Sequence, residues 1–351
     1  MIHILNRLKK FLVNLCCCLI PSKKLRGDFR RKMAYGRDEG NLALIRRHFP
    51  DIEIKSWRKL SGACNVILII NEELVFPFSQ SFACPLKVTG TKEICDFLQP
   101  MLEIEIPRIE IARGRFYCLS RYKFIKGMEY GNLPPEKRKI AMAHLAPNLA
   151  KFLASLHGCS IPALKASLSG SQKTVRRKLS TRKKGDRPFG KFFPALFGGQ
   201  LETWIEYARN LRRLKSRERS LHPALAHNDF HPWNIIMDES SLELRGIIDF
   251  DNIAISSREE DFGRMAAHLV KLDPDSATGF MRRMMDEYEK GVCTYPPPGI
   301  FLDRECIALI ARHVVLHNAL RQRNAGLDIR GIFERIDRMM EDIGLPLQKA
   351  A

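Results

Sequence analysis

The spacing of hydrophobic and polar positions changes along the chain, and the changes mark out its parts. From Ile52 to Phe78 the period is that of strands. Ile52-Glu53-Ile54-Lys55 alternates, Val66 to Ile70 is an unbroken apolar run, and Leu74-Val75-Phe76-Pro77-Phe78 follows a polar turn at Asn71-Glu72-Glu73. Leu60 to Asn65 reads as a turn of small residues. Thr91 to Met101 predicts a helix carrying Glu93, Ile104 to Ile111 an extended segment around Pro107, and Phe116 to Leu119 another strand. After a connector at Phe124-Ile125-Lys126-Gly127 the period becomes helical. Leu145, Leu149, Phe152, Leu153 and Leu156 recur at threes and fours and end at His157-Gly158. Further helices are predicted over 205–214, 262–270, 280–292, 307–320 and 329–343. Strands first and helices afterwards imply an α+β protein, with a small sheet-rich lobe and a larger helical one.

Three regions follow from this pattern. Residues 1–40 form an amphipathic, basic N-terminal segment, 50–127 a sheet-rich lobe and 128–351 a helical lobe. In the first, Ile2, Ile4, Leu5, Leu8, Phe11, Leu12 and Leu15 share one helical face. Cys16-Cys17-Cys18-Leu19-Ile20 extends it, Pro21 stops it, and a basic run continues to Lys32. The apolar block from Phe11 to Ile20 is too short to span a bilayer, which takes about 20 residues. It suits an anionic membrane interface, or the plainer task of packing on the lobe. Within the helical lobe, residues 165–191 are a basic insertion with Asp186 as its one acidic residue, read either as a solvated face or as an anion-binding one.

Charge sharpens the reading. The 351 residues hold 58 Lys+Arg against 39 Asp+Glu, a net charge of +19, which favours polyanionic partners. Nucleic acid would follow from charge alone, but no basic motif interleaved with aromatics supports it. The ten cysteines include no C-x-x-C pair, and most sit inside apolar runs, as in core residues of a reducing compartment. The expected location is cytoplasmic, peripheral on the inner face of the membrane.

The chemistry lies between the helical runs. His227-Asn228-Asp229-Phe230-His231-Pro232-Trp233-Asn234 leads into apolar Ile235-Ile236-Met237, and Gly246-Ile247-Ile248-Asp249-Phe250 follows. An Asp, an Asn five residues later and a second Asp after an apolar strand are what metal-assisted phosphoryl transfer requires. The first Asp orients or deprotonates a hydroxyl, while Asn234 and Asp249 hold Mg²⁺ against nucleotide phosphates. The blander reading is that Asp229 and Asn234 cap a turn.

His227-x-Asp229-x-x-x-x-Asn234 with Ile248-Asp249-Phe250 resembles the aminoglycoside phosphotransferase/choline kinase family, a branch of the protein-kinase-like fold. The resemblance covers roughly residues 50–320. It implies a two-lobed protein-kinase-like fold with a small antiparallel-sheet N-lobe and a helical C-lobe. It also implies an ATP- and Mg²⁺-dependent kinase, with ATP replaceable by another nucleoside triphosphate. Asp229, Asn234 and Asp249 become the catalytic set, the last two the metal ligands. Ser61, Gly62 and Ala63 match the nucleotide-loop turn, Glu93 the lobe-bridging glutamate, and the backbone at Arg121, Tyr122 and Lys123 the adenine-binding hinge. His157, Asp261 and Ala266 match family positions at helix ends. One position departs: Pro77 or Phe78 stands where the family's third strand carries a Lys or Arg on the α/β-phosphates. Either Lys59 or Lys87 substitutes, or the chain is a weakly active or inactive nucleotide-binding scaffold. The net charge argues for an anionic small-molecule acceptor, a glycan or a lipid-linked sugar over a polycation.

Overall fold

The computed structural model describes residues 38–61, 65–79, 85–113, 118–168, 201–217, 221, 223–292, 301–322 and 328–344. The amphipathic segment, Gly62, Ala63 and the basic insertion beyond residue 168 lie outside the described residues. The chain divides into two compact units. One comprises residues up to Asp96 together with Pro107–Lys126, and the other Phe97–Ile106 together with the chain from Gly127 onward.

Among its described residues the first unit is a five-stranded antiparallel sheet, in the order β1-β2-β3-β5-β4, with two helices. Its strands are β1 (Trp57–Ser61), β2 (Asn65–Ile70), β3 (Leu74–Ser79), β4 (Glu110–Arg113) and β5 (Cys118–Lys123). The helices are α1 (Asp38–His48) and α2 (Pro85–Leu98). Leu42, Ile45 and Phe49, on or just beyond α1, pack on Leu68, Ile70, Phe76, Phe78 and Leu119 of one sheet face. Alternation along the strands sends Ile67, Ile69, Val75 and Pro77 to the opposite face. Pro77 costs the sheet little, because β3 pairs with β5 only at Leu74 and Val75.

The strand expected at Ile52–Lys55 is absent. That segment is irregular, and β1 begins at Trp57. The Asn71 side chain takes its backbone instead, accepting from Lys55 N at 2.9 Å and Ser56 N at 3.0 Å and donating to Glu53 O at 2.7 Å. An amide side chain has thus satisfied groups that a neighbouring strand would otherwise bind. Ile52 and Ile54 still pack against the core, which accounts for the alternation in the sequence.

The second unit is mainly helical: α3 (Pro135–His157), α4 (Ile161–Ser167), α5 (Leu201–Arg217), α6 (Glu259–Leu272), α7 (Pro274–Val292), α8 (Arg304–Gln322) and α9 (Ile329–Asp342). The expected helices are all present, most of them a turn longer than the apolar spacing marked. Helix α3 packs on α7, and α8 on α5, α6 and α9. Two small sheets cross this core, β6 (Met128–Glu129) with β8 (Ile235–Met237) and β9 (Leu244–Ile247), and β7 (Pro223–Ala226) with β10 (Ala254–Ser257). They hold the two ends of the motif region.

Gly127 introduces β6 at φ +146°, and a Cβ there would lie 2.2 Å from Met237 O on the paired strand. Gly127→Ala is therefore expected to lower the unfolding free energy by about 1–3 kcal/mol in urea denaturation. An unchanged midpoint would show that the β6–β8 pairing is not tight.

Candidate active site

The His227–Asn234 stretch connects β7 to β8, and its shape is set from beneath by Asp261. This carboxylate, in the first turn of α6, is fully buried. Its Oδ2 accepts from His227 N at 2.9 Å and from His157 Nε2 at 3.1 Å, and its Oδ1 accepts from Asn228 N at 2.8 Å. His157, the last residue of α3, also lies 2.9 Å from the Tyr288 hydroxyl of α7. Burying a carboxylate is costly unless its lone pairs are filled, and charge-assisted bonds to backbone N–H groups fill them well. With both amides turned toward Asp261, Asn228 adopts a left-handed φ of 59°. Its own side chain donates to Ala226 O and Ala254 O, at 3.0 and 3.3 Å.

His227 is buried and braces the loop from within. Its Nδ1 accepts from Asp229 N at 3.3 Å, so the ring proton sits on Nε2, which donates to Ile248 O at 3.1 Å. That bond, with Ile248 N to Asn234 O at 3.0 Å, places the residue preceding Asp249 against Asn234. Asp249 follows β9 at a left-handed φ of 63°. Asn234 Nδ2 donates to Asp229 O at 2.8 Å and to His231 Nε2 at 3.3 Å. Both amide hydrogens are thus used, which leaves Oδ1 as the atom able to meet a cation. The fold therefore brings Asp229, Asn234 and Asp249 together.

Asp229 has partners that the spacing did not reveal. Asn252, in the turn after Asp249, donates Nδ2 to Asp229 Oδ2 at 3.0 Å. Arg264 of α6 stands 3.7 Å from Oδ1 and is itself held by Glu260 at 2.8 Å, one helical turn earlier. His231 Nε2 is 3.8 Å from the same Oδ1. Oδ2 is thus fixed, while Oδ1 has no direct hydrogen bond from these neighbours. The signal for Arg264 was present as an i, i+4 Glu–Arg pair, but nothing in the sequence states which way α6 faces.

Electrostatically the site is crowded with negative charge. Desolvation by the surrounding protein, and then the carboxylates of Asp229 and Asp251, raise the pKa of Asp249 above the ordinary Asp value, although the residue keeps solvent on one side. The donor set of an amide oxygen and a carboxylate is hard and oxygen-only, as magnesium demands, with phosphate and water oxygens completing the shell. Among the described residues no group of three or more His, Cys, Asp or Glu could hold a metal. The rings of His231 and His268 lie 4.8 Å apart at a tilt of 43°, and burial depresses both imidazoles, His268 to about 3.

The other expected contacts are spread over the first unit. Ser61 ends β1, and Glu93 stands half-buried on α2. The Arg121 side chain forms a structural clamp, 3.1 Å from Asp51, 2.8 Å from Glu110 and 4.4 Å over the Phe49 ring. Tyr122 and Lys123 pair with Val75 and Leu74. Lys59 pairs across the sheet with Leu68, on the face that carries α1, and its Nζ is 2.8 Å from Asp38. Pro77 faces the other way, whereas Phe78 shares the face of Lys59. Lys87 lies in the first turn of α2.

The family described as APH, phosphotransferase enzyme family, matches residues 94–290, more than half of the chain. The chain belongs to this family. It is a phosphotransferase with a hydroxyl group as acceptor. No curated protein sequence matches it. Among solved structures, the GDP complex of wild-type aminoglycoside 2'-phosphotransferase-IIIa is similar with a TM-score of 0.58 and 19% identity, over 86% of this chain and 98% of that one. The GDP and kanamycin complex of the 2''-phosphotransferase IIIa gives 0.58 and 20%, over 86% and 97%. A 3''-phosphotransferase from Streptomyces rimosus with ADP and streptomycin gives 0.52 and 15%, over 79% and 97%. These likenesses confirm the two-lobed α+β, protein-kinase-like fold.

The histidine pair makes a prediction about pH. His268 binds its proton near 6.5 when unfolded and near 3 when folded, so the unfolded chain holds more protons between those values. Its contribution to stability is complete above pH 6.5 and is lost as pH falls toward 3, by at most about 1.4 kcal/mol per pH unit. In His268→Phe the unfolding free energy should decline less steeply from pH 7 to pH 4. An identical slope would show that His268 is not kept neutral by its surroundings.

Proposed function

We propose that the APH-family chain transfers a phosphoryl group from ATP, or another nucleoside triphosphate, to a hydroxyl of a small molecule, glycan or lipid-linked sugar at a membrane surface. The observation that carries this is the joint placement of Asp229, Asn234 and Asp249 around one loop, with Asn234 Oδ1 and Asp229 Oδ1 left available. Asp229 orients the acceptor hydroxyl and takes its proton at Oδ1 while Asn252 holds Oδ2. The Arg264 guanidinium stands 3.7 Å from Oδ1. Asn234 and Asp249 would hold magnesium, which when bound neutralises charge on the nucleotide phosphates. A loose transition state asks the protein mainly for positioning, which the fixed Oδ2 supplies.

The acceptor class follows from charge. The similar structures hold kanamycin and streptomycin, which are polycations. A chain of net charge +19 suits an acceptor that bears an anionic group, as in an acidic glycan or a phosphorylated sugar. The membrane reading rests on the N-terminal sequence. Among the described residues no helix is long and apolar enough to cross a membrane.

One observation favours a second reading. With Pro77 at the phosphate-cation position and Lys59 committed to Asp38, the small unit gives less phosphate neutralisation than the family pattern, as in a nucleotide-binding scaffold of low activity. Turnover of ATP with Mg²⁺ across sugars, glycolipids, lipopolysaccharide and aminoglycosides separates the two. Wild type should transfer phosphate to at least one acceptor, and Asp229→Ala should lose roughly 10²–10⁴-fold. Equal inertness of both proteins, with ATP binding retained, would favour the scaffold.

Membrane attachment makes its own prediction. Removing residues 1–35 should abolish co-sedimentation with anionic vesicles and leave turnover on a soluble acceptor intact. Unchanged partitioning would sink the interfacial role of this segment.

A further inference from the structure

Trp233 stands out from the rest of the motif. It retains 37% of its surface exposed, while Phe230 and Phe250 on the same loops are fully buried. Exposure here does not reflect a loose side chain, because the indole is fixed on three sides. One ring face lies over Gly131, where a Cβ would meet ring atoms at 2.7–2.8 Å. Its Nε1 donates to Asn132 Oδ1 at 3.1 Å. The rings of His231 and His268 meet it at steep angles, with centroids 6.0 and 5.6 Å away. The indole is thus a rigid, partly exposed plate with no conformational freedom left to lose on binding.

Its place in the fold connects it to the reacting carboxylate. His231 links the two, with its Nε2 3.8 Å from Asp229 Oδ1 and its ring centroid 6.0 Å from that of Trp233. All three meet α6, where Arg264 stands against Asp229 and His268 against both His231 and Trp233. Polar groups rim the plate. Asn132 Nδ2 donates to Glu129 Oε2 at 3.0 Å, which gives an amide and a carboxylate beside the indole edge.

A flat apolar surface rimmed by an amide and a carboxylate matches one chemical class well. A pyranose or cyclitol ring has an apolar C–H face that covers an aromatic plane, and hydroxyls around its edge that bind amides and carboxylates. An acyclic polyol lacks the face, and an aliphatic chain lacks the rim. We propose that Trp233 is the stacking platform for a saccharide or cyclitol ring of the acceptor, with Asn132 and Glu129 holding ring hydroxyls. This rests on the phosphotransferase reading and narrows it, since Trp233 lies on the loop that carries Asp229, with His231 between them. The fixed indole makes Trp233 a specificity-determining residue that takes no part in proton transfer.

The chain has three tryptophans, Trp57, Trp204 and Trp233. In a Trp57→Phe/Trp204→Phe protein, Trp233 becomes the sole fluorophore. Methyl pyranosides and myo-inositol should change its emission saturably at millimolar concentration, while sorbitol, the ring-less control, should not. In wild type, with a cyclic acceptor found by turnover, Trp233→Ala should raise acceptor KM roughly tenfold, and Trp233→Phe should recover most of that loss. Far-UV circular dichroism checks that both variants fold, and the fluorescence arm stands if Trp233→Ala does not. Emission that is unchanged by every cyclic probe, or changed equally by sorbitol, overturns the platform. Phosphate transfer confined to acyclic acceptors, or a KM unaffected by Trp233→Ala, overturns it too. The two readings separate cleanly. Ring binding without phosphate transfer would keep the platform and remove the kinase, and transfer without ring binding would do the reverse.

Discussion

The buried carboxylate of Asp261 is the interaction on which the loop geometry depends. A charge at zero exposure is tolerated only when its lone pairs are filled, and here they are filled by the two amides that open the motif loop and by His157. The consequence runs outward. Turning both amides inward sets the left-handed bend at Asn228, and that bend presents Asp229 to the surface while His227 points back into the core. His157 and Tyr288 extend the same network to α3 and α7, so the packing of the helical unit and the shape of the loop are one problem. Loss of His157 would remove one of the three hydrogen bonds that fill the buried carboxylate, a larger penalty than the loss of a surface pair.

Much of the fold was legible because it follows from periods. Helix α3, the helices from α5 to α9 and the strands β2 and β3 were visible as spacing, since each must bury one face, whereas the short α4 was not. The Ile52–Lys55 segment misled for an instructive reason. Alternation reports which side chains are buried, and Ile52 and Ile54 are packed on the core, but it does not report where the backbone hydrogen bonds go. Those went to Asn71, twenty residues away at most, and no local pattern distinguishes an amide side chain from a partner strand.

The site was legible to the same degree. Asp229, Asn234 and Asp249 lie on one hairpin, so sequence spacing translates directly into proximity through the β8–β9 pairing. Asn252, Arg264 and Glu260 were hidden. They act across a turn and a helix whose rotation is fixed by packing, with Phe262, Met265 and Leu269 buried on the other face of α6. Arg121 shows the opposite case. A residue singled out by its place in the chain turned out to have its side chain engaged by Asp51, Glu110 and Phe49, which leaves only its backbone for the role the resemblance implied.

The charge around Asp229 decides what this part of the large unit needs from a ligand. Around Asp229 the large unit concentrates carboxylates, and the rise in the Asp249 pKa is the direct expression of that crowding. The Arg264 guanidinium is the cation nearest to Asp229, but Glu260 has already claimed part of its charge. Sites of this sign hold an incoming polyphosphate poorly without counterions. In the proposed mechanism a divalent cation held by Asn234 and Asp249 would relieve the repulsion at Asp249 and supply countercharge to the phosphates. Metal and nucleotide should then bind with strong mutual dependence, more so than where a β3 lysine shares the load.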